Sequence, residues 1–167
     1  MVERDWSTGT PEPGATIAAD DLVIRCQRQG GATLVSGNLE AAIAELAPAA
    51  PMLGLLEPLP PPPFALRIAR DRALLCTAKP LNAQGWRTGF AASEADDLFL
   101  EITIAGMRAA ELKDACMSPV SDSPSAATHF AGFGTLVASV SDGLSVRVQP
   151  SDAAALWAHL EKIADVL

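Results

Sequence analysis

Few side chains in this 167-residue chain could do covalent chemistry. Its two histidines are His129 and His159. His129 sits in a serine-rich stretch with Asp122 close by, and Ser, His and Asp are the residue types of a nucleophilic triad. No nucleophile elbow accompanies them, so a solvated polar loop is the competing expectation. His159 falls on the polar edge of the last helix. Cys26, Cys76 and Cys116 are odd in number, far apart and without a C-x-x-C pair. Three buried thiols are expected, neither a disulfide framework nor a zinc site. Glu94, Asp96, Asp97 and Glu101 lie close in sequence. A general acid and base would need two carboxylates in an apolar cleft, whereas a solvated acidic turn needs nothing more. Arg67, Arg70 and Arg72 surround one tight turn. They could clamp a carboxylate, but pairing with the acidic stretch is expected. Gly30, Gly31 and Gly37 lack the G-x-G-x-x-G spacing, and there is no P-loop. No residue is assigned a catalytic or metal-binding role, and the cofactor-binding residues are unknown.

The elements that would hold these groups are easier to read. Leu136, Ala138 and Val140, then Leu144, Val146 and Val148, alternate with other residues on either side of Asp142-Gly143. Asp-Gly between alternating runs predicts a hairpin with a type I′ turn. Ser151 is expected to cap a final helix that puts Leu156, Leu160, Ile163 and Leu167 on one face. Residues 22–27 and 32–36 read as strands. Asn38 then caps a helix carrying Leu39, Ala42, Ile43 and Leu46 to a stop at Pro48. This is a weak echo of the C-terminal strand–strand–helix unit. Two short strands surround residues 69–72, and residues 77–97 read as irregular. A strand over 98–104 leads through Gly106 into a helix over about 107–116, and residues 118–128 read as a loop.

The net charge of −8 argues against nucleic acid and anionic membranes as partners. No apolar run reaches the roughly 20 residues of a membrane span. The acidic start MVERDWSTGT does not read as a signal peptide, so a cytoplasmic protein is expected. Residues 1–20 read as a flexible N-terminal arm. Residues 21–167 read as one α+β domain of two halves, 21–63 and 64–167, joined by a Pro-rich connector. An antiparallel sheet with helices on one face, in ferredoxin-like split βαβ units, fits this order. Two features suggest contact with a partner. Trp6 is isolated in the polar arm, where it would dock either on its own domain or on a partner. Met52, Leu53, Leu55, Leu56 and Leu59 make the connector more apolar than a solvated linker needs; a stiff internal connector is the alternative.

The stretch LEITIAGMRAAELKDAC, with Ile102, Ile104, Gly106, Ala109 and Leu112, resembles the folate-binding aminomethyltransferase superfamily. The overall size, the Gly-Phe-Gly at 132–134 and the LWAHL helix are similar to the sarcosine oxidase gamma subunit family. The resemblance spans about residues 64–167. It implies aminomethyltransferase-like units and a non-catalytic accessory subunit of a heterotetrameric sarcosine oxidase-like complex in one-carbon metabolism. Its partners would be the larger subunits, with self-association when isolated. FAD, FMN, NAD and tetrahydrofolate would belong to the complex and not to this chain. The alternatives are a stand-alone folate-binding aminomethyltransferase-like protein, using an acid among residues 94–101, and a small enzyme using His129.

Overall fold

Period-two alternation sets most strands of the computed structural model, which describes residues 9–118 and 122–167. The chain opens with β1 (Thr16–Ala19), β2 (Leu22–Gln27), β3 (Gly31–Gly37), α1 (Leu39–Leu46) and β4 (Met52–Leu53). Four strands follow: β5 (Phe64–Ala69), β6 (Arg72–Thr77), β7 (Gly85–Arg87) and β8 (Phe90–Glu94). The chain closes with β9 (Leu100–Ala105), α2 (Ala109–Cys116), β10 (Ala127–Phe130), β11 (Phe133–Val140), β12 (Gly143–Val148) and α3 (Pro150–Val166). No helix among the described residues is long and apolar enough to cross a membrane.

The fold is α+β, with helices on one face of an antiparallel sheet, and there are two such sheets. Sheet A has the order β1-β2-β9-β12-β11-β10 and sheet B the order β4-β5-β6-β3-β8-β7. All pairings are antiparallel except β4 with β5. Sheet A carries α2 and α3 on its outer face, over Leu22, Ile24, Ile102, Ile104, Val146 and Val148. Sheet B carries α1 on its outer face, over Val35, Ala65, Ala73 and Leu75. Between the sheets lies a third core of Phe64, Leu66, Leu74, Cys76, Leu136 and Ala138. The layers therefore run α1, sheet B, sheet A, α2 with α3. The sheets do not divide the chain at the Pro-rich connector: sheet B takes residues 31–94, and sheet A takes strands from both ends.

Several local expectations change. The strand–strand–helix echo at 22–47 is split, because β2 joins sheet A and β3 joins sheet B. Residues 85–94, expected as irregular, form the β7–β8 hairpin, and part of the loop stretch forms β10. Part of the expected arm forms edge strand β1. The β11–β12 hairpin is present, but Val140 pairs with Gly143, so the turn is Ser141-Asp142. Neither turn residue has positive φ, so it is not type I′. Gly143 is needed for a different reason: a Cβ there would run into the Ile104 carbonyl on β9. The turn with two positive φ values is instead Ala131-Gly132, between β10 and β11. Asn38 caps α1 as expected, its side chain accepting from Ala41 N–H at 3.0 Å. Ser151 does not cap α3. Gln149 takes that position without a side-chain bond, and Pro150 fills the first turn.

Candidate functional site

β9 and β12 place charge where a sheet sandwich normally has hydrocarbon. On these strands Ile102, Ile104, Val146 and Val148 point to the helices, so residues of the other parity face sheet B. That parity holds Glu101 and Thr103 on β9 and Ser145 and Arg147 on β12. Arg147 pairs directly with Glu101 across the strands, and Gln27 and Leu136 continue the same row. The Arg147 Nη2 lies 3.1 Å from Glu101 Oε2, and the two side chains are only 8% and 17% exposed. Ser145 Oγ donates to Glu101 Oε1 at 2.7 Å. The Arg147 guanidinium also sits 5.8 Å from the centre of the Phe64 ring on sheet B. Its Nε is buried and has no hydrogen-bond partner.

These groups border a cavity of about 340 Å³ between the sheets. Glu101 and Arg147 contribute from sheet A, Phe64 and Cys76 from sheet B, and Leu59 and Pro60 from the connector. Burial pushes the Cys76 thiol above its ordinary range; Arg147 opposes this and Glu101 adds to it. The thiol is therefore a neutral wall group near pH 7. Gly30 and Gly31 also border the cavity. They are there for close packing, since a Cβ on either would strike the Thr77 or Lys79 carbonyl. The arrangement can hold an ion; it contains no activated nucleophile.

The residues singled out from sequence fall in different places. His129 and His159 are both exposed, and no hydrogen bond joins His129 to Asp122 or a serine among the described residues. Ser125 Oγ instead donates to the Ile68 carbonyl at 2.7 Å. The three cysteines are free, buried and apart. Among the described residues no three His, Cys, Asp or Glu side chains gather as a metal site. Arg67, Arg70 and Arg72 form no ion pair with the acidic stretch. Arg67 Nη1 donates to the Arg70 carbonyl at 3.1 Å, because the tight turn brings that oxygen closer than any acid. Asp96 accepts from Ala32 N–H at 2.6 Å, while Glu94 and Asp97 are exposed.

Trp6 lies outside the described residues. Of the connector residues, Leu53 and Leu55 are buried inside the chain, in the inter-sheet core and the sheet A core. Met52, Leu56 and Leu59 are half-buried against the three cores. The physical reason is pairing. Leu56 N–H donates to the Val137 carbonyl at 3.1 Å, Leu59 N–H to the Ser139 carbonyl at 2.9 Å, and Ser139 N–H to the Glu57 carbonyl at 3.0 Å. The connector thus runs along β11 and turns its leucines inward. Leu56 also borders a cleft of about 270 Å³ with Met107, Lys113 and Asp142. Sequence reasoning did not single out Arg147. Its one signal was Ser145 and Arg147 sharing a parity on β12 with a counter-charge, Glu101, on another strand. A solvated polar face gives the same alternation.

No family model matches the chain. None of the curated proteins is similar to it. Among solved structures, it is similar to a chain of the heterotetrameric sarcosine oxidase from Corynebacterium sp. U-96 in complex with pyrrole 2-carboxylate. The TM-score is 0.68, over 90% of this chain and 87% of that one, at 15% identity. Two chains of similar length therefore share a fold over about nine-tenths of each.

Proposed function

We propose that this chain is a non-catalytic subunit of a heterotetrameric sarcosine oxidase-like assembly. The observation that carries this is the shared fold over nearly the whole of both chains. A match over nearly the whole of both chains is what an equivalent subunit would give, and the reading rests on that fold analogy. Two exposed apolar side chains add support. Trp86 on edge strand β7 is 90% exposed, and Met107, beside the Leu56 cleft, is 80% exposed. Large aromatic side chains and Met are enriched at the centres of protein interfaces. On this reading the larger subunits, in the cytoplasm, hold FAD, FMN, NAD and tetrahydrofolate, and this chain contributes contacts. Of the acids a stand-alone folate protein would use, Glu101 is held by Ser145 and Arg147 and Asp96 by the Ala32 amide, which leaves the exposed Glu94 and Asp97.

The test is affinity purification of the tagged chain from its native host. Large flavin-containing subunits should copurify in fixed ratio, and Trp86→Ser should reduce their yield while the isolated chain keeps its melting temperature. The isolated chain should consume no oxygen with sarcosine. Recovery of the chain alone, or sarcosine oxidation by it, overturns the proposal.

A further inference from the structure

The inter-sheet cavity is chemically unbalanced. One Glu101 carboxylate oxygen accepts from Ser145 Oγ, and the other lies 3.1 Å from Arg147 Nη2 in an ion pair. The guanidinium has five N–H donors in a rigid planar fork. It engages Glu101 through one contact, and its Nε is buried with no partner. Arg28 also borders the cavity, so Arg147, Glu101 and Arg28 together leave one positive charge in a chain whose net charge is −8. The Phe64 ring, Leu59, Pro60 and Pro62 give the cavity one apolar wall, and Gln29 and Thr77 also line it. Its volume, about 340 Å³, falls at the small end of the roughly 300–1,000 Å³ typical of small-molecule sites.

We infer that this cavity binds a small organic carboxylate with a planar apolar body, its carboxylate on Arg147 and its ring against Phe64 and the connector prolines. A purely structural ion pair accounts for Glu101 but not for the open volume beside Arg147 or for the excess positive charge around it. A cationic ligand would meet the excess positive charge of Arg147 and Arg28. A neutral apolar ligand would leave that charge without a counter-ion. The carboxylate answers all three, because guanidinium and carboxylate pair by charge-assisted hydrogen bonds in matched planes.

The experiment is isothermal calorimetry of the full chain with sodium 2-naphthoate, using 2-naphthylmethanol as a neutral control of the same shape. The acid should bind at one saturable site and the alcohol at least about tenfold more weakly. Glu101→Gln removes the internal competitor for Arg147 and should tighten binding. Arg147→Gln should weaken it by about tenfold or more. Because that variant strands Glu101, the double variant Glu101→Gln/Arg147→Gln carries the same expectation on a neutral background, with circular dichroism reporting its fold. The inference fails if naphthoate shows no saturable binding, if the alcohol binds equally well, or if the double variant keeps the wild-type affinity.

Discussion

Replacing Arg147 with Met tests whether the buried pair is held by its partners or by solvent. The substitution keeps most of the stem packing between Phe64 and sheet A, but removes the charge that neutralises Glu101. Glu101 is 17% exposed, so its carboxylate cannot recover full hydration in place. Removing one partner of a buried pair costs about 3–5 kcal/mol. Glu101 keeps the Ser145 hydrogen bond and borders a cavity that admits water, which points to the lower end, about 3 kcal/mol. For a domain of this size that corresponds to a drop in melting temperature of about 6–12 °C. Thermal and urea denaturation followed by circular dichroism would measure it. The companion is Arg147→Met with Glu101→Leu. Removing both charges should bring stability back to within about 1 kcal/mol of wild type, since apolar replacements of a buried pair are near neutral. A single variant that loses less than about 1 kcal/mol, or a double variant as unstable as the single, would refute the reasoning.

Three further outcomes are expected. Gly106→Ala should cost about 2–4 kcal/mol in urea denaturation, because Gly106 has φ of 115° and a Cβ there would strike the Asp21 carbonyl. Leu53→Ala should cost about 2–4 kcal/mol by the same measurement, since Leu53 fills the inter-sheet core; a variant of wild-type stability would show the connector to be a surface strip instead. Burial pushes the Cys116 thiol from 9.0 up to about 11. The folded chain then holds this proton more tightly than the unfolded chain. Stability is full below pH 9.0 and falls as pH rises towards 11, and disulfide reagents at pH 8 should label native protein far more slowly than urea-unfolded protein.

Alternation and capping made much of the fold legible, and for physical reasons. The β9 and β12 residues that meet the helices are aliphatic in strict period two, and Asn38 had a capping partner three residues on. The number of sheets was not legible. A strand face that packs on a second sheet through Ala, Thr, Ser and one ion pair has the same pattern as a face in water. The β7–β8 hairpin was hidden by Gly85, Thr88 and Gly89, turn residues spaced more closely than the strands between them. Arg147 went unnoticed because only the register across β12 and β9 sets it beside Glu101, and register is a tertiary property. Gly106 is the opposite case. Strand, glycine and helix follow directly in sequence, so its role could be read locally.

The pairing of β2 with β9 bears on how the chain is made. Val23 opposes Ala105, and Gln27 opposes Glu101, so an early strand finds its inner neighbour 74–82 residues later. At ribosomal rates of about 5–20 residues per second, β2 waits on the order of 4–16 seconds for that neighbour to be synthesised. During that interval Leu22, Ile24 and Cys26, which end up fully enclosed, have no sheet A surface to cover them. Sheet B, whose strands all lie within residues 31–94, can assemble first. The nascent chain thus exposes one unpaired apolar edge for about half of its synthesis, and that edge is the segment a trigger-type chaperone would be expected to hold.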